Sequence, residues 1–318
     1  MASLASSSLP SAFRRGGMET CVAVINPRFL LSQAFTTDAS AAYKYSDPRY
    51  LNLQNAPEGF DITSAVVYPE FVTDGESKSL IKEASKRLKR RRFENGHWDS
   101  VITGYREVEM STPDEVFSQN IPQEDDNNKM NDDAAIPMFA KVIQETRRHL
   151  ENHHFGSNNG DNGCIATSRN IRWLPCHAID LSANGELSAH VDSVKFSGEI
   201  VAGISLLSDS IMRLRPSSNE WDGEDKNGKL GGAATEEKNC GISDGYVDLY
   251  LPQLSLYVLS GMSRYSYTHE LLPSGSIFEF LDVEESYSQC EPKNREVVRG
   301  RRLSVIFRDE HNKSISNE

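Results

Sequence analysis

The side chains best suited to catalysis in this sequence are two histidines, one aspartate and two arginines. His190 and Asp192 stand two positions apart in a stretch whose pattern predicts a strand, so both side chains should point to the same face. An imidazole and a carboxylate on one face can bind a single metal ion. His269, at the end of the segment SRYSYTHEL, is the best candidate for a third ligand.

This ligand set allows two kinds of metal chemistry. Two histidines and one carboxylate on one face of an octahedron leave three positions open, which is the arrangement of non-haem Fe(II) oxygenases. The same residue types could instead bind zinc with a water molecule and catalyse hydrolysis. An HxD triplet alone does not decide between them, because a histidine on a strand is more often a structural residue.

The segment RRLSVIFR near the C-terminus favours the oxygenase interpretation. On a strand, its alternation separates an apolar face from a polar face that carries Arg302, Ser304 and Arg308. Two arginines on one face of an otherwise apolar strand are costly unless each finds an anion. Because the guanidinium fork matches a carboxylate bidentately, a dicarboxylate cosubstrate would satisfy both. Metal ligands combined with two inward arginines indicate 2-oxoglutarate.

In their order along the chain, these residues resemble the AlkB-like family of Fe(II)/2-oxoglutarate dioxygenases. Four segments are most similar to the mitochondrial AlkB homolog 7 subgroup of that family: GHWDSVITGYREVE, HVDSVKFSGEIVAGISLLSDSIMRL, LYVLSGMSRYSYTHELL and RRLSVIFR. The resemblance covers residues 66–309 apart from the insertions. It implies a double-stranded β-helix, or jelly roll, that encloses Fe(II) ligated by His190, Asp192 and His269.

The resemblance also implies a cosubstrate pocket. Arg302 would pair with the distal carboxylate of 2-oxoglutarate, and Arg308 would lie near its metal-binding end. Tyr257 matches the family's cosubstrate-contacting tyrosine, and Ser304 stands where relatives often have asparagine. With O2 as the second cosubstrate, the implied reaction couples decarboxylation of 2-oxoglutarate to hydroxylation of a C–H bond.

The substrate is the least determined feature. The subgroup resemblance implies a protein or small-molecule substrate in mitochondria, with links to fatty-acid metabolism and programmed necrosis. AlkB relatives that act on nucleic acids present an extruded base to the site. Here the densest basic run is KRLKRRR at 86–92, on a chain with 34 basic and 46 acidic side chains and a net charge of −12, which disfavours a polyanionic partner. RNA demethylation stays an alternative, as does a non-catalytic 2-oxoglutarate sensor.

The elements that must position the site are predicted to be mainly β, with flanking helices. Eight segments from residue 170 onward show period-two alternation or short β-branched runs, which predicts a barrel or sandwich. Before them, a strand and a helix are predicted within 68–93 and a second helix at 136–153, because apolar residues recur there at helical spacing.

The predicted organisation is one dioxygenase domain at 60–310, with disordered insertions near 118–133 and 216–245 that are rich in polar residues. Residues 1–35 combine serine, alanine and three arginines with a single acid, which is typical of a transit peptide and predicts the mitochondrial matrix. Without such a peptide, the cytoplasm or nucleus would be expected.

Two further features restrict the class of protein. No apolar run approaches the roughly 20 residues of a membrane-spanning helix, so no membrane span is predicted. The five cysteines share no CxxC spacing, which favours a reducing compartment and gives no zinc or disulfide framework. We expect a monomer.

Overall fold

Antiparallel strands make up most of the fold. The computed structural model describes residues 49–96, 101–111, 136–155, 171–217, 245–281 and 292–311. The strands of these residues are β1 (Leu51–Asn52), β2 (Ala65–Tyr68), β3 (Ile102–Glu109), β4 (His177–Leu187), β5 (Ser197–Leu206), β6 (Ser210–Pro216), β7 (Val247–Leu251), β8 (Leu256–Leu259), β9 (Tyr267–Leu271), β10 (Ser276–Leu281), β11 (Pro292–Val297) and β12 (Arg302–Glu310). The helices are α1 (Asp74–Leu88), α2 (Met138–His154) and the short α3 (Gly261–Tyr265), with a 3-10 turn at Ile62–Ser64.

The strands form a large sheet and a small sheet. The large sheet has the order β2-β8-β5-β12-β4-β3, the small sheet has the order β1-β7-β6-β9, and β10 pairs with β11 in a separate hairpin. From β4 onward the chain passes repeatedly between the sheets, because β5, β8 and β12 return to the large sheet while β6, β7 and β9 lie in the small one. This alternation is that of a double-stranded β-helix. The predicted mainly β, jelly-roll fold is confirmed.

The last strand shows how alternation sorts side chains between two cores. Leu303, Val305 and Phe307 are fully buried and pack in the same apolar cluster as the helices. Ile306 belongs instead to the cluster between the sheets, so the face that also carries Arg302 and Arg308 lines the interior.

Both predicted long helices are present and cover the outer face of the large sheet. Thr73 and Glu76 form a reciprocal capping box at the start of α1, which satisfies two backbone N–H groups that the helix leaves unpaired. The helix predicted at 136–153 begins at Met138 behind Pro137. The residues that α1 and α2 bury recur at helical spacing: Leu80, Ala84, Leu88, Phe139, Val142, Ile143, Thr146 and Leu150.

The chain between β4 and β5 departs from the strand predicted there. Residues 188–196 are irregular, apart from one bridge between His190 and His269. This segment crosses from the large sheet to the small one and back. It therefore lacks a neighbouring strand along most of its length. The pairing of His190 with β9 is a single bridge and not a continuous ladder of hydrogen bonds.

Several predictions fall on residues that the structure does not describe. The transit peptide at 1–35, the insertion at 118–133 and nearly all of the insertion at 216–245 lie outside the described residues. In the described part of the chain, no helix combines the length and apolarity that crossing a membrane requires.

Candidate metal centre

Three side chains predicted as metal ligands meet at one end of the interior. His190, Asp192 and His269 each offer one ligand atom, and these atoms lie within 4.8 Å of one another. The two imidazole rings have centroids 4.2 Å apart, and Asp192 Oδ2 lies 3.7 Å from His269 Nε2. The structure therefore brings together the three predicted ligands, two from the segment before β5 and one from β9.

The backbone fixes the two histidines to each other. The amide of His190 donates to the carbonyl of His269 at 3.2 Å, and the amide of His269 donates back at 2.8 Å. His269 lies on β9, where it pairs with Leu214 of β6. This bridge attaches His190 to β9, so both imidazole rings are held by the small sheet.

The hydrogen bonding and burial of the histidines suit metal binding. His190 Nδ1 lies 2.8 Å from the carbonyl oxygen of Ser188, so it carries the proton and leaves Nε2 as the ligand atom. Burial, and then the nearby charge of His190, lowers the pKa of His269 to about 3. The ring of His269 is therefore neutral at physiological pH, which is the form that binds a metal.

Asp192 is held ionised chiefly by Arg308. Burial alone would raise the pKa of its carboxyl, but Arg308, followed by His269, His190 and Arg264, holds that pKa well below the usual range. Arg308 Nη2 donates to Asp192 Oδ1 at 3.0 Å. The other oxygen, Oδ2, is the one nearest to His269. The donor set of two nitrogens and one carboxylate oxygen fits Fe(II) with open positions.

Arg302 lies deeper in the interior with an unusual set of partners. It is 5% exposed, and it donates to the hydroxyls of Ser210 and Ser205 at 3.1 Å each. Burial lowers its pKa, and no carboxylate of the described residues forms an ion pair with it. A buried guanidinium held only by hydroxyls fits an anionic ligand such as the carboxylate of 2-oxoglutarate.

The remaining predicted pocket residues lie near Arg302. Ser304 is 1% exposed and faces the interior between the two arginines of β12. The ring of Tyr257 lies over Gly203, since a Cβ on that glycine would approach the ring to 2.6 Å. Burial raises the pKa of Tyr257, so its phenol stays protonated and can donate a hydrogen bond.

Glu270, which follows His269 on β9, lies 3.6 Å from Arg215. Sequence reasoning missed Gly203, Ser205, Ser210 and Arg264. A signal existed for Gly203, because a glycine inside an apolar strand often marks a close approach by another group.

Two relatives cover most of this chain. The mitochondrial alpha-ketoglutarate-dependent dioxygenase alkB homolog 7 of Mus musculus is 31% identical over 244 residues, which are 77% of this chain and 77% of the mouse protein. The Bos taurus protein of the same name is 30% identical over 247 residues, which are 77% of this chain and 78% of the bovine protein. No protein-family model matches the chain.

Similar folds occur among solved structures. OsALKBH1 has a TM-score of 0.39 and 15% identity, over 77% of this chain and 97% of that one. A prolyl hydroxylase from Trichoplax adhaerens, solved with a peptide of hypoxia inducible factor, has a TM-score of 0.42 and 9% identity, over 80% of this chain and 88% of that one.

Proposed function

The chain belongs to the AlkB homolog 7 family of alpha-ketoglutarate-dependent dioxygenases, and we propose that His190, Asp192 and His269 are the ligands of its Fe(II). The observation that carries this assignment is the convergence of their ligand atoms within 4.8 Å. The bound iron and alpha-ketoglutarate (2-oxoglutarate) supply the oxidising chemistry, in which decarboxylation of the cosubstrate with O2 is coupled to oxidation of a C–H bond.

The protein orients the ligand atoms. The hydrogen bond from His190 to Ser188 aims Nε2 of His190 at the metal. Arg308 engages Oδ1 of Asp192 and leaves Oδ2 for coordination. Because Arg308 lies beside Asp192, it would also stand next to the metal-binding end of 2-oxoglutarate.

The second part of the proposal concerns the distal carboxylate of 2-oxoglutarate. Arg302 would bind it with its planar fork, while Ser205 and Ser210 hold the guanidinium in place. Tyr257 and Ser304 would donate hydrogen bonds beside it. The depth of Arg302 supports this role, because a bound anion would neutralise a charge that is otherwise shielded from water.

We propose a protein or small molecule in the mitochondrial matrix as the substrate, oxidised by a monomeric enzyme. Both relatives are named mitochondrial, and the net charge of −12 disfavours a polyanion. The roles in fatty-acid metabolism and programmed necrosis implied by the resemblance are part of this proposal. Fusing residues 1–35 to a fluorescent protein tests the location, and a diffuse cytoplasmic signal would contradict it.

The central test is cosubstrate turnover by the full chain. With Fe(II), O2 and 2-oxoglutarate, we expect slow succinate formation even without substrate, whereas a non-catalytic sensor would bind 2-oxoglutarate and form none. In His190→Ala and Asp192→Ala, two remaining ligands cannot hold the facial geometry, so turnover should fall below about a tenth. His153→Ala, at an exposed position on α2, is the matched control. Turnover retained above that level would remove these residues from the site.

A further inference from the structure

We infer that Arg264 is the positioning residue for Asp192, holding the segment that carries this ligand at the metal site. The inference rests on the proposed function, since it concerns the same metal. Arg264 lies on α3, between β8 and the strand that bears His269. It is 2% exposed, so its guanidinium is committed to contacts inside the protein.

The contacts of Arg264 converge on one short segment. Its Nη1 donates to the carbonyl oxygen of Asp192 at 2.9 Å. Its Nη2 lies 3.4 Å from the carbonyl oxygen of Ser193, 3.3 Å from that of Ser197 and 2.7 Å from Ser197 Oγ. One side chain therefore binds the backbone at both ends of the segment 192–197.

Asp192 needs such support more than the two histidines do. His190 and His269 are joined by two backbone hydrogen bonds. Asp192 lies two residues beyond this bridge and, among the described residues, outside every strand ladder. Its carboxylate contacts Arg308, but the hydrogen bond from Arg264 is the one that holds its backbone carbonyl.

Hydrogen bonds of Ser197 also close this segment into a turn. The amide and the hydroxyl of Ser197 both donate to the carbonyl of Ser193, each at 3.1 Å. The hydroxyl of Ser197 in turn accepts from Arg264. The turn and the guanidinium thus support each other, and the turn leads directly from the metal ligand into β5.

Arginine is suited to this task by its shape. A planar fork can donate to several carbonyl oxygens at once, whereas a lysine ammonium is a compact charge on a flexible stem. Because Arg264 lies only five residues before His269, its side chain links the segment of one ligand to the segment of another. Loss of this link should loosen Asp192 without removing any ligand.

The neighbouring residue offers a matched control. Tyr265 also lies on α3 and donates to the carbonyl of Gly198 at 3.0 Å. Tyr265→Phe therefore removes one hydrogen bond between the same two elements without touching residues 192–197. A general loosening of the fold would affect both variants alike, but a positioning role belongs to Arg264 alone.

The test measures Mn(II) binding to the full chain by electron paramagnetic resonance, together with the Tm of the metal-free protein. We expect Arg264→Gln to weaken Mn(II) binding by about 10-fold or more, as loss of groups that orient metal ligands commonly does. Arg264→Lys should restore part of the affinity, and Tyr265→Phe should leave it unchanged. Ser197→Ala, which keeps the arginine, should weaken binding by about threefold, as loss of one hydrogen bond would.

The outcomes separate this inference from the proposed function. Unchanged Mn(II) affinity in a folded Arg264→Gln protein would overturn the positioning role, and so would an equal loss in Tyr265→Phe. If Arg264→Gln does not fold, Ser197→Ala decides, and wild-type affinity in that variant contradicts the inference. If His190→Ala instead binds Mn(II) as tightly as the wild type, the metal site itself is overturned.

Discussion

At the level of single residues, the two arginines of β12 meet different surroundings although they share one face. Arg308 lies 3.0 Å from a carboxylate of this chain. Among the described residues, Arg302 is instead held by hydroxyl groups, those of Ser205 and Ser210 and that of Tyr257. Their spacing predicted two inward cations, but only the structure distinguishes the one paired within the protein from the one whose fork stays available for a ligand.

Arg302→Gln should weaken the use of 2-oxoglutarate and leave the metal in place. Losing one partner of a buried charge pair costs roughly 3–5 kcal/mol, so the KM for 2-oxoglutarate should rise by about 100-fold or more. Arg302→Lys keeps the charge without the fork, so its KM for 2-oxoglutarate should lie between those of the wild type and Arg302→Gln. Arg295→Gln, at an exposed site over the ring of Tyr250, is the control. A KM equal to that of the wild type would place the distal carboxylate elsewhere.

At the level of elements, the C-terminal end of α2 carries a cluster of histidines with its own acid sensitivity. His154 Nε2 lies 3.0 Å from the hydroxyl of Tyr68, and His149 packs edge-on against the same ring. Burial, followed by the charges of His149 and His153, lowers the pKa of His154 to about 4. Protonating this imidazole therefore disfavours the folded state.

The sign of the resulting pH dependence follows from the two pKa values. The folded pKa of about 4 lies below the ordinary histidine pKa of 6.5, so the unfolded chain binds more protons between those values. Stability is fully present above pH 6.5 and falls as the pH drops towards 4. For His154 the loss should reach about 2 kcal/mol at pH 4.5.

His154→Gln should flatten that dependence, because an amide can still bond to Tyr68 but does not titrate. Urea unfolding of the wild type and the variant at pH 7 and pH 4.5 measures the difference. The variant should lose less stability on acidification, while His311→Gln, at an exposed position, should behave as the wild type. Equal acid sensitivity in His154→Gln would mean that other groups cause the loss.

The elements also show what can be predicted from this sequence. The strands β5 and β8 were predictable because apolar residues fill most of their length, and β12 because apolar and polar residues alternate along it. The convergence of His190, Asp192 and His269 was predictable because few residue types bind iron. The path of residues 188–196 was not, since crossing between sheets is a tertiary requirement that leaves no periodic pattern.

Arg264 illustrates the same limit at the site. Its partners are mostly backbone carbonyl oxygens of residues distant in sequence. Any residue type can supply a carbonyl, so the sequence of the 192–197 segment contains no sign of the contact. Burial of a charge on a short helix became visible only in three dimensions.

At the level of the whole molecule, charge is the strongest constraint on the substrate. The net charge is −12, and the basic run at 86–92 is partly used within the fold. Arg87 binds Glu83 and the carbonyl of Ser111. Phe93, the aromatic neighbour of the run, lies 4.6 Å below the guanidinium of Arg106. The aromatic face beside the run is therefore already covered by a cation, whereas a strand of nucleic acid needs several cations interleaved with free aromatic faces.

The protein should therefore bind single-stranded RNA weakly and with a shallow salt dependence. Each phosphate contact adds about −0.7 to the slope of log affinity against log salt, so one to three contacts give a slope of about −1 to −2. Binding of an RNA hairpin with a single-stranded loop, from about 50 to 200 mM salt, measures it. The test variant neutralises Arg90, Arg91 and Arg92, which follow α1, and Lys78→Gln with Lys82→Gln, at exposed positions on α1, is the control. A steep slope that flattens only in the arginine variant would contradict a protein or small-molecule substrate and favour RNA demethylation.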